Sequence, residues 1–145
     1  MIVYPARFSR ARDGITVTFP GIHEVITCGF SEEQAAEYAA DALETVFSQY
    51  MKQRREIPRP QARVKGTRPI ALSTLTEAKI RLYEAMRESG IRRADLARRM
   101  GFQKSQIDRL LDLRHGSRLD QIEAVLGKLH KRFSIRVEDM PQAAA

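Results

Sequence analysis

Five polar or basic side chains in the second half of the chain are of the types that read DNA bases. They are Gln103, Lys104, Ser105, Gln106 and Arg109. Glutamine can form two hydrogen bonds with adenine, and arginine or lysine can bond the edge of guanine. Ser105 could instead cap a helix or bind a phosphate. At the start of a recognition helix these side chains would point into the major groove, so we predict that they contact bases.

Further arginines near this group could hold DNA by its phosphates. They are Arg92, Arg93, Arg98, Arg99 and Arg118. Phosphate contacts give affinity without sequence information, and a helix N-terminus beside Arg92 and Arg93 would also attract a phosphate. Each arginine alone could be a solvated surface residue, so the prediction rests on the cluster. Asp108 and Asp112 would repel phosphates unless they face away or pair with Arg109 or Arg114.

The apolar residues of Arg93–Leu111 are spaced as in two helices that cross at a tight turn. The inward-facing residues would be Leu96, Ala97, Met100, Ile107 and Leu110. Gly101 falls at the turn, four residues after the small Ala97. Ile107 and Leu110, ten and thirteen residues after Ala97, would pack the second helix against the first. This spacing is typical of a helix-turn-helix. The alternative is an ordinary helical hairpin with a solvated polar face.

Two more helices are predicted to support this unit. One is capped by Thr74 or Thr76 and runs to Glu88; the other is capped by Ser117. The inner face of the last helix would be Leu119, Ile122, Val125, Leu126 and Leu129. A single helix-turn-helix makes few base contacts, so we expect a homodimer or a higher even oligomer. The last helix and the tail residues Phe133, Ile135 and Val137 are candidates for the dimer surface, or they simply close the core.

The first half of the chain is predicted to form three strands, a helix and a fourth strand. The strands are predicted at residues 2–9, 15–19, 24–28 and 68–73, and the helix at 31–53. Ser31 and Gln34 have the spacing of a capping box. The apolar stripe of the helix is Ala35, Tyr38, Ala39, Ala42, Leu43, Val46, Phe47, Tyr50 and Met51. This stripe predicts packing on the sheet, and Cys28 is expected to be a small core residue.

The charge of the 145-residue chain is divided between two regions. Residues 1–60 hold 7 basic and 8 acidic residues, a net charge of −1, whereas residues 61–145 hold 18 basic and 10 acidic residues, a net charge of +8. This asymmetry favours a nucleic-acid-binding module joined to a near-neutral domain. We therefore predict an α+β protein, with a first domain at 1–73 and a helix-turn-helix domain for DNA binding and dimerisation at 74–145.

The sequence offers little for catalysis, metal binding or membrane insertion. His23, His115 and His130 are scattered without metal-ligand spacing, and there is no glycine-rich phosphate loop, nucleophile elbow or CxxC pair. We therefore predict no enzymatic activity, catalytic residue, metal or cofactor. No apolar run approaches a membrane span, and the first ten residues lack the layout of a secretory signal. With Cys28 as its single cysteine, the chain is expected in the cytoplasm.

Several segments together resemble the HicB antitoxins. They are YPARF at 4–8, DGITVTFPGI at 13–22, TCGFSEEQAAEYAADAL at 27–43 and the whole of 79–129. The first half resembles the toxin-neutralising domain of that family, which implies a partial RNase H-like fold. The second half resembles the family variant that has a helix-turn-helix in place of a ribbon-helix-helix. The resemblance implies a partner, the HicA toxin, a small ribonuclease that cuts mRNA, and it implies binding to the operator of the chain's own operon.

A basic, RNA-binding toxin would favour acidic contacts on the first half, and we expect Asp13, Glu24 and Glu32 to supply them. Two other functions stay open. A ligand-responsive helix-turn-helix repressor without a toxin partner would need an apolar pocket. An RNA- or DNA-processing enzyme would need a metal-binding acidic cluster.

Overall fold

The computed structural model describes residues 1–140, so the last five residues of the predicted second domain lie outside the described part. The strands are β1 (Val3–Ala11), β2 (Gly14–Phe19), β3 (Ile22–Gly29) and β4 (Arg68–Ala71). The helices are α1 (Glu32–Lys52), α2 (Thr74–Ser89), α3 (Arg93–Met100), α4 (Lys104–Leu111) and α5 (Leu119–Lys128). The predicted α+β fold is confirmed, with β-β-β-α-β followed by helices alone.

The four strands form one antiparallel sheet in the order β3-β2-β1-β4. Phe8 lies opposite Val17, and Tyr4 lies opposite Ile70. Because Ala11 pairs with Gly14, a two-residue turn of Arg12 and Asp13 joins β1 to β2. The side chains of Ile15, Val17 and Phe19 are buried, as every second residue is in a strand with one covered face.

Helix α1 covers the inner face of the sheet. The Ser31 hydroxyl accepts a hydrogen bond from the Gln34 amide at 3.1 Å and so caps the helix. At Gly29 a Cβ atom would lie 2.5 Å from the backbone nitrogen of Ala35, so the end of β3 can approach α1 only without a side chain. The buried residues of α1 are Ala35, Ala39, Leu43, Phe47, Tyr50 and Met51.

Two predictions of core residues in this half are wrong. Tyr38 is 40% exposed, because the buried row of α1 runs through Ala35 and Ala39 at intervals of four and leaves Tyr38 beside it. Cys28 is exposed, because it pairs with Thr16 on the outer face of the sheet, which α1 does not cover. Ile26 is on the same face and is 65% exposed.

The two predicted helix caps in the second half are also wrong. Ser73 caps α2, and its hydroxyl accepts from the Thr76 amide at 3.1 Å. The Thr76 hydroxyl donates to Glu44 of α1 instead. Helix α5 begins after Arg118 without a side-chain cap. The Ser117 hydroxyl instead accepts a hydrogen bond from Lys79.

The side chains of α5 close the core rather than leave an apolar face open. Ile122, Val125, Leu126 and Leu129 are buried, whereas Leu119 is 41% exposed and was wrongly predicted to face inward. Phe133 packs on the core, while Ile135 and Val137 are exposed. The buried residues of both halves belong to one continuous cluster, so the sheet domain and the helical unit share a core. No helix within residues 1–140 is long and apolar enough to cross a membrane.

Candidate nucleic-acid interface

Helices α3 and α4 meet at the glycine turn that the spacing predicts. Gly101 has φ 65° and ψ 28°, a left-handed conformation that favours glycine. The Phe102 amide donates to the Ala97 carbonyl at 2.9 Å and closes the turn. Leu96, Ala97, Ile107 and Leu110 are buried, and Met100 is half-buried. This is the helix, turn and helix expected from Arg93–Leu111.

The start of α4 presents an exposed polar surface. Gln103, Lys104, Ser105 and Gln106 are all exposed, and Arg109 is exposed one turn later. Gln103 is the N-cap residue, and its backbone amide donates to Oε1 of Gln106 at 2.8 Å. Gln106 therefore uses its oxygen to cap its own helix, which leaves its NH₂ group for other contacts. Ser105 is not the cap.

The predicted phosphate-binding arginines differ in their ion pairs. Arg93 bonds Asp108 at 2.8 Å and links the first turn of α3 to α4. Arg118 binds both carboxylate oxygens of Asp120, at 3.1 and 2.6 Å. Arg92 is exposed and forms no ion pair within residues 1–140.

Arg98 bonds Asp95, whereas Arg99 is exposed and unpaired in the described part of the chain. Asp108 pairs with Arg93 and not with Arg109. Asp112 accepts from the backbone amide of Arg114 at 3.0 Å. Of the arginines predicted to contact DNA, Arg92, Arg99 and Arg109 therefore form no ion pair within residues 1–140.

A buried lysine that the sequence reasoning missed holds the other end of α4. Lys79 of α2 is 0% exposed. Its three N–H groups are shared among four acceptors, which are the carbonyls of Arg109, Asp112 and His115 at 2.9, 2.6 and 2.6 Å and Oγ of Ser117 at 2.9 Å. Burial lowers the pKa of Lys79, and the nearby Asp112 carboxylate opposes this shift. The available signal was helical spacing, because Lys79 falls three residues after Thr76 and four before Tyr83, which are both buried.

The three acidic residues predicted to face a toxin do not form one patch. Glu32, the first residue of α1, bonds Arg10 at 2.7 Å and Arg68 at 2.9 Å. These bonds, the one from Arg10 foremost, lower the pKa of Glu32. Nothing in the local sequence spacing signals them, because the partners are 22 and 36 residues away from Glu32.

Glu24 lies near the other end of α1. It accepts from Arg55 at 3.4 Å, and the pKa of Glu24 is lowered chiefly by a hydrogen bond from Tyr50. The Arg55 guanidinium also stacks 3.8 Å from the centre of the Tyr50 ring. Asp13 is exposed in the β1–β2 turn. Tyr50, which bonds Glu24, lies 18 residues after Glu32 on α1, about 27 Å along the helix, so the two glutamates lie near opposite ends of α1 and not in one patch.

The described residues do not bring metal-binding groups together. Within residues 1–140, no group of three or more His, Cys, Asp or Glu side chains is placed to hold a metal ion. The acidic side chains Glu33, Glu37 and Asp41 of α1 are exposed.

The chain is similar in sequence to known proteins over most of its length. A family model described as a HicB-like antitoxin of a bacterial toxin-antitoxin system matches residues 3–81. Antitoxin HicB of Pseudomonas fluorescens (strain Pf0-1) is 39% identical over 118 residues, which is 81% of each chain. Antitoxin HicB 2 of Photorhabdus laumondii is 35% identical over 91% of this chain and 94% of that protein. Antitoxin HicB of Escherichia coli (strain K12) is 32% identical over 91% of this chain and 96% of that protein. The chain belongs to the HicB antitoxin family.

Proposed function

We propose that this chain binds and masks a HicA-like, mRNA-cleaving toxin in the cytoplasm and represses its own operon by binding operator DNA. The observation that carries the proposal is the joining of a HicB-like sheet domain to a helix-turn-helix with an exposed, basic recognition surface. In this account the chain has no enzymatic activity of its own. The element order β-β-β-α-β supports a partial RNase H-like fold for residues 1–73.

The DNA-binding half uses two kinds of contact. Gln103, Lys104, Ser105 and Arg109 read bases from the exposed start of α4, together with the free NH₂ group of Gln106. Arg92 supplies a phosphate contact. The guanidinium groups of Arg93 and Arg118 are held by Asp108 and Asp120, so these two arginines reach a phosphate only at the expense of an ion pair. A homodimer would place two such surfaces on two half-sites.

The sheet half binds the toxin, with Asp13, Glu24 and Glu32 as the acidic contacts. Asp13 forms no ion pair within residues 1–140 and can receive a basic side chain. Glu24 and Glu32 would each exchange an arginine of this chain for a basic side chain of the toxin. Replacing Glu32 by Gln tests this assignment, and Glu37→Gln on the same helix is the matched control. A weaker toxin complex is expected for the first variant alone, and equal affinities for both would remove Glu32 from the interface.

Co-expression with the product of the adjacent short reading frame tests the proposed partner. The two proteins are expected to co-purify, and this chain is expected to restore growth of cells that the partner alone arrests. Failure of both would overturn the antitoxin assignment. A ligand-responsive repressor without a toxin partner would still bind DNA upstream of its own gene but would purify alone.

A further inference from the structure

Helix α4 does not end at a left-handed glycine. Helices α2 and α3 both end at a left-handed glycine, Gly90 and Gly101. Helix α4 instead ends at Asp112 with φ −80° and ψ 110°, so no glycine turns the chain back to satisfy its last carbonyls. The final carbonyls of a helix need other donors when they are buried.

Backbone amides reach two of the carbonyls at this end, with Asp112 donating to Arg109 at 3.3 Å and His115 donating to Asp112 at 3.1 Å. Lys79 adds further donors from another helix. Its Nζ bonds the carbonyl of Arg109, inside the last turn of α4, and the carbonyls of Asp112 and His115 in the following loop. Ser117 completes the group, because its hydroxyl accepts from Lys79 and donates to the Arg109 carbonyl at 3.3 Å. A positive charge at the C-terminus of a helix is also favoured by the helix dipole. One ammonium group thus fixes both the end of α4 and the loop that leads to α5.

The position of this contact matters for DNA reading. Helix α4 has eight residues, so its whole length is about 12 Å. A short helix depends on tertiary contacts for its stability. A shift of its C-terminus therefore also moves the side chains at its N-terminus. Arg109, whose carbonyl Lys79 holds, is itself one of the proposed base contacts. Lys79 is completely buried and cannot reach a phosphate.

We propose that Lys79 is a positioning residue that sets the sequence specificity of α4 by fixing its C-terminus to α2. This inference rests on the proposed DNA-binding function. A positioning role predicts different effects on sequence-specific and non-specific DNA affinity, whereas a general loss of folding would lower both. Affinity for the correct sequence depends on the orientation of α4, whereas non-specific affinity depends on surface charge, which Lys79 does not supply.

Lys79→Met removes the donors and keeps a long side chain. The probes are a duplex taken from the sequence upstream of the chain's own reading frame and a scrambled duplex of equal length. We expect the variant to lose about tenfold in affinity for the first duplex and to keep its affinity for the second within about twofold. Lys52→Met, at the exposed last residue of α1, is the control and should change neither.

A second variant and a chemical rescue keep the inference testable if Lys79→Met does not fold. Ser117→Ala removes one acceptor of Lys79 outside the core, and it should lower the preference for the upstream duplex by about threefold. In a Cys28→Ser background, Lys79→Cys can be alkylated with 2-bromoethylamine before refolding. This treatment restores an ammonium group on a side chain of nearly the same length and should restore the preference.

The outcomes distinguish the two claims. If the natural chain does not prefer the upstream duplex over the scrambled one, the proposed DNA-binding function fails, and the role of Lys79 fails with it. If the natural chain has the preference and folded Lys79→Met or Ser117→Ala keeps it unchanged, only the role of Lys79 is overturned. Equal losses on both duplexes would also overturn it.

Discussion

At the scale of single residues, internal ion pairs decide which charged side chains are available for a partner. Glu32 is occupied by Arg10 and Arg68, and Arg93 is occupied by Asp108. Arg99, by contrast, has no ion pair in the described part of the chain. Charged residues of the same type are thus unequal in what they can contribute to binding.

The salt dependence of DNA binding should show this inequality between arginines. Arg99→Ala is expected to reduce the slope of log affinity against log salt by about 0.9, since one uncompensated phosphate contact is lost. Arg93→Ala should reduce the slope by less, because Asp108 already balances that charge. The measurement is fluorescence anisotropy at several salt concentrations. Equal slope changes for the two variants would mean that the Arg93–Asp108 pair opens in the complex.

The pKa of Glu32 provides a test of its arginine partners. The lowered folded-state pKa means that the ion pairs favour folding above the usual pKa of a glutamate, and that this contribution is lost as the pH falls through the lowered value. Arg68→Ala should raise the pKa of Glu32, as measured by carboxyl NMR titration. Arg7→Ala on β1 is the control and should leave it unchanged. An unshifted pKa in Arg68→Ala would contradict the pairing.

At the scale of elements, the two ends of α4 are held in different ways. Gln106 caps the N-terminus from within the helix, and Lys79 caps the C-terminus from α2. The sequence predicted the α3–α4 turn, because Gly101 and the inward residues follow helical spacing. It predicted the Ser31 cap for the same local reason. The Lys79 contact joins residues 30 to 38 positions apart, so no local pattern specifies its partners.

Variants of Gln106 should separate helix capping from DNA contact. Gln106→Ala removes the acceptor for the Gln103 amide and is expected to lower the free energy of unfolding by about 1 kcal/mol. Gln106→Glu keeps an acceptor and adds negative charge, so it should retain stability and lose DNA affinity. Thermal unfolding and anisotropy measure the two effects. A stable Gln106→Glu protein with full DNA affinity would remove Gln106 from the interface.

At the scale of the whole molecule, the sheet and the helical unit share one core. The Arg114 guanidinium donates to Thr45 of α1 at 2.6 Å, and the Tyr83 hydroxyl donates to the Arg55 carbonyl at 2.6 Å. Charge asymmetry predicted two regions, but it carries no information on how they pack. The exposure of Cys28 and Ile26 could not be predicted either. The alternation of side chains identifies the two faces of a strand, but it does not show whether both faces of the sheet are covered.

The shared core does not prevent the two proposed activities, DNA binding and toxin binding, from being separated by surface variants. Lys104→Ala combined with Arg109→Ala changes two exposed side chains of α4 and leaves the core intact. This double variant should lose its preference for the upstream duplex and should bind the toxin as the natural chain does. Pull-down and anisotropy on the same preparation measure both. Loss of both activities in a folded protein would show that the recognition helix is part of the toxin interface.

The most direct test of the central claim is RNA cleavage by the purified product of the adjacent short reading frame, titrated with this chain. If the chain masks the toxin, cleavage of a model mRNA falls in proportion to the amount of chain added and stops at a fixed stoichiometry. Continued cleavage in the presence of excess folded chain would contradict the account.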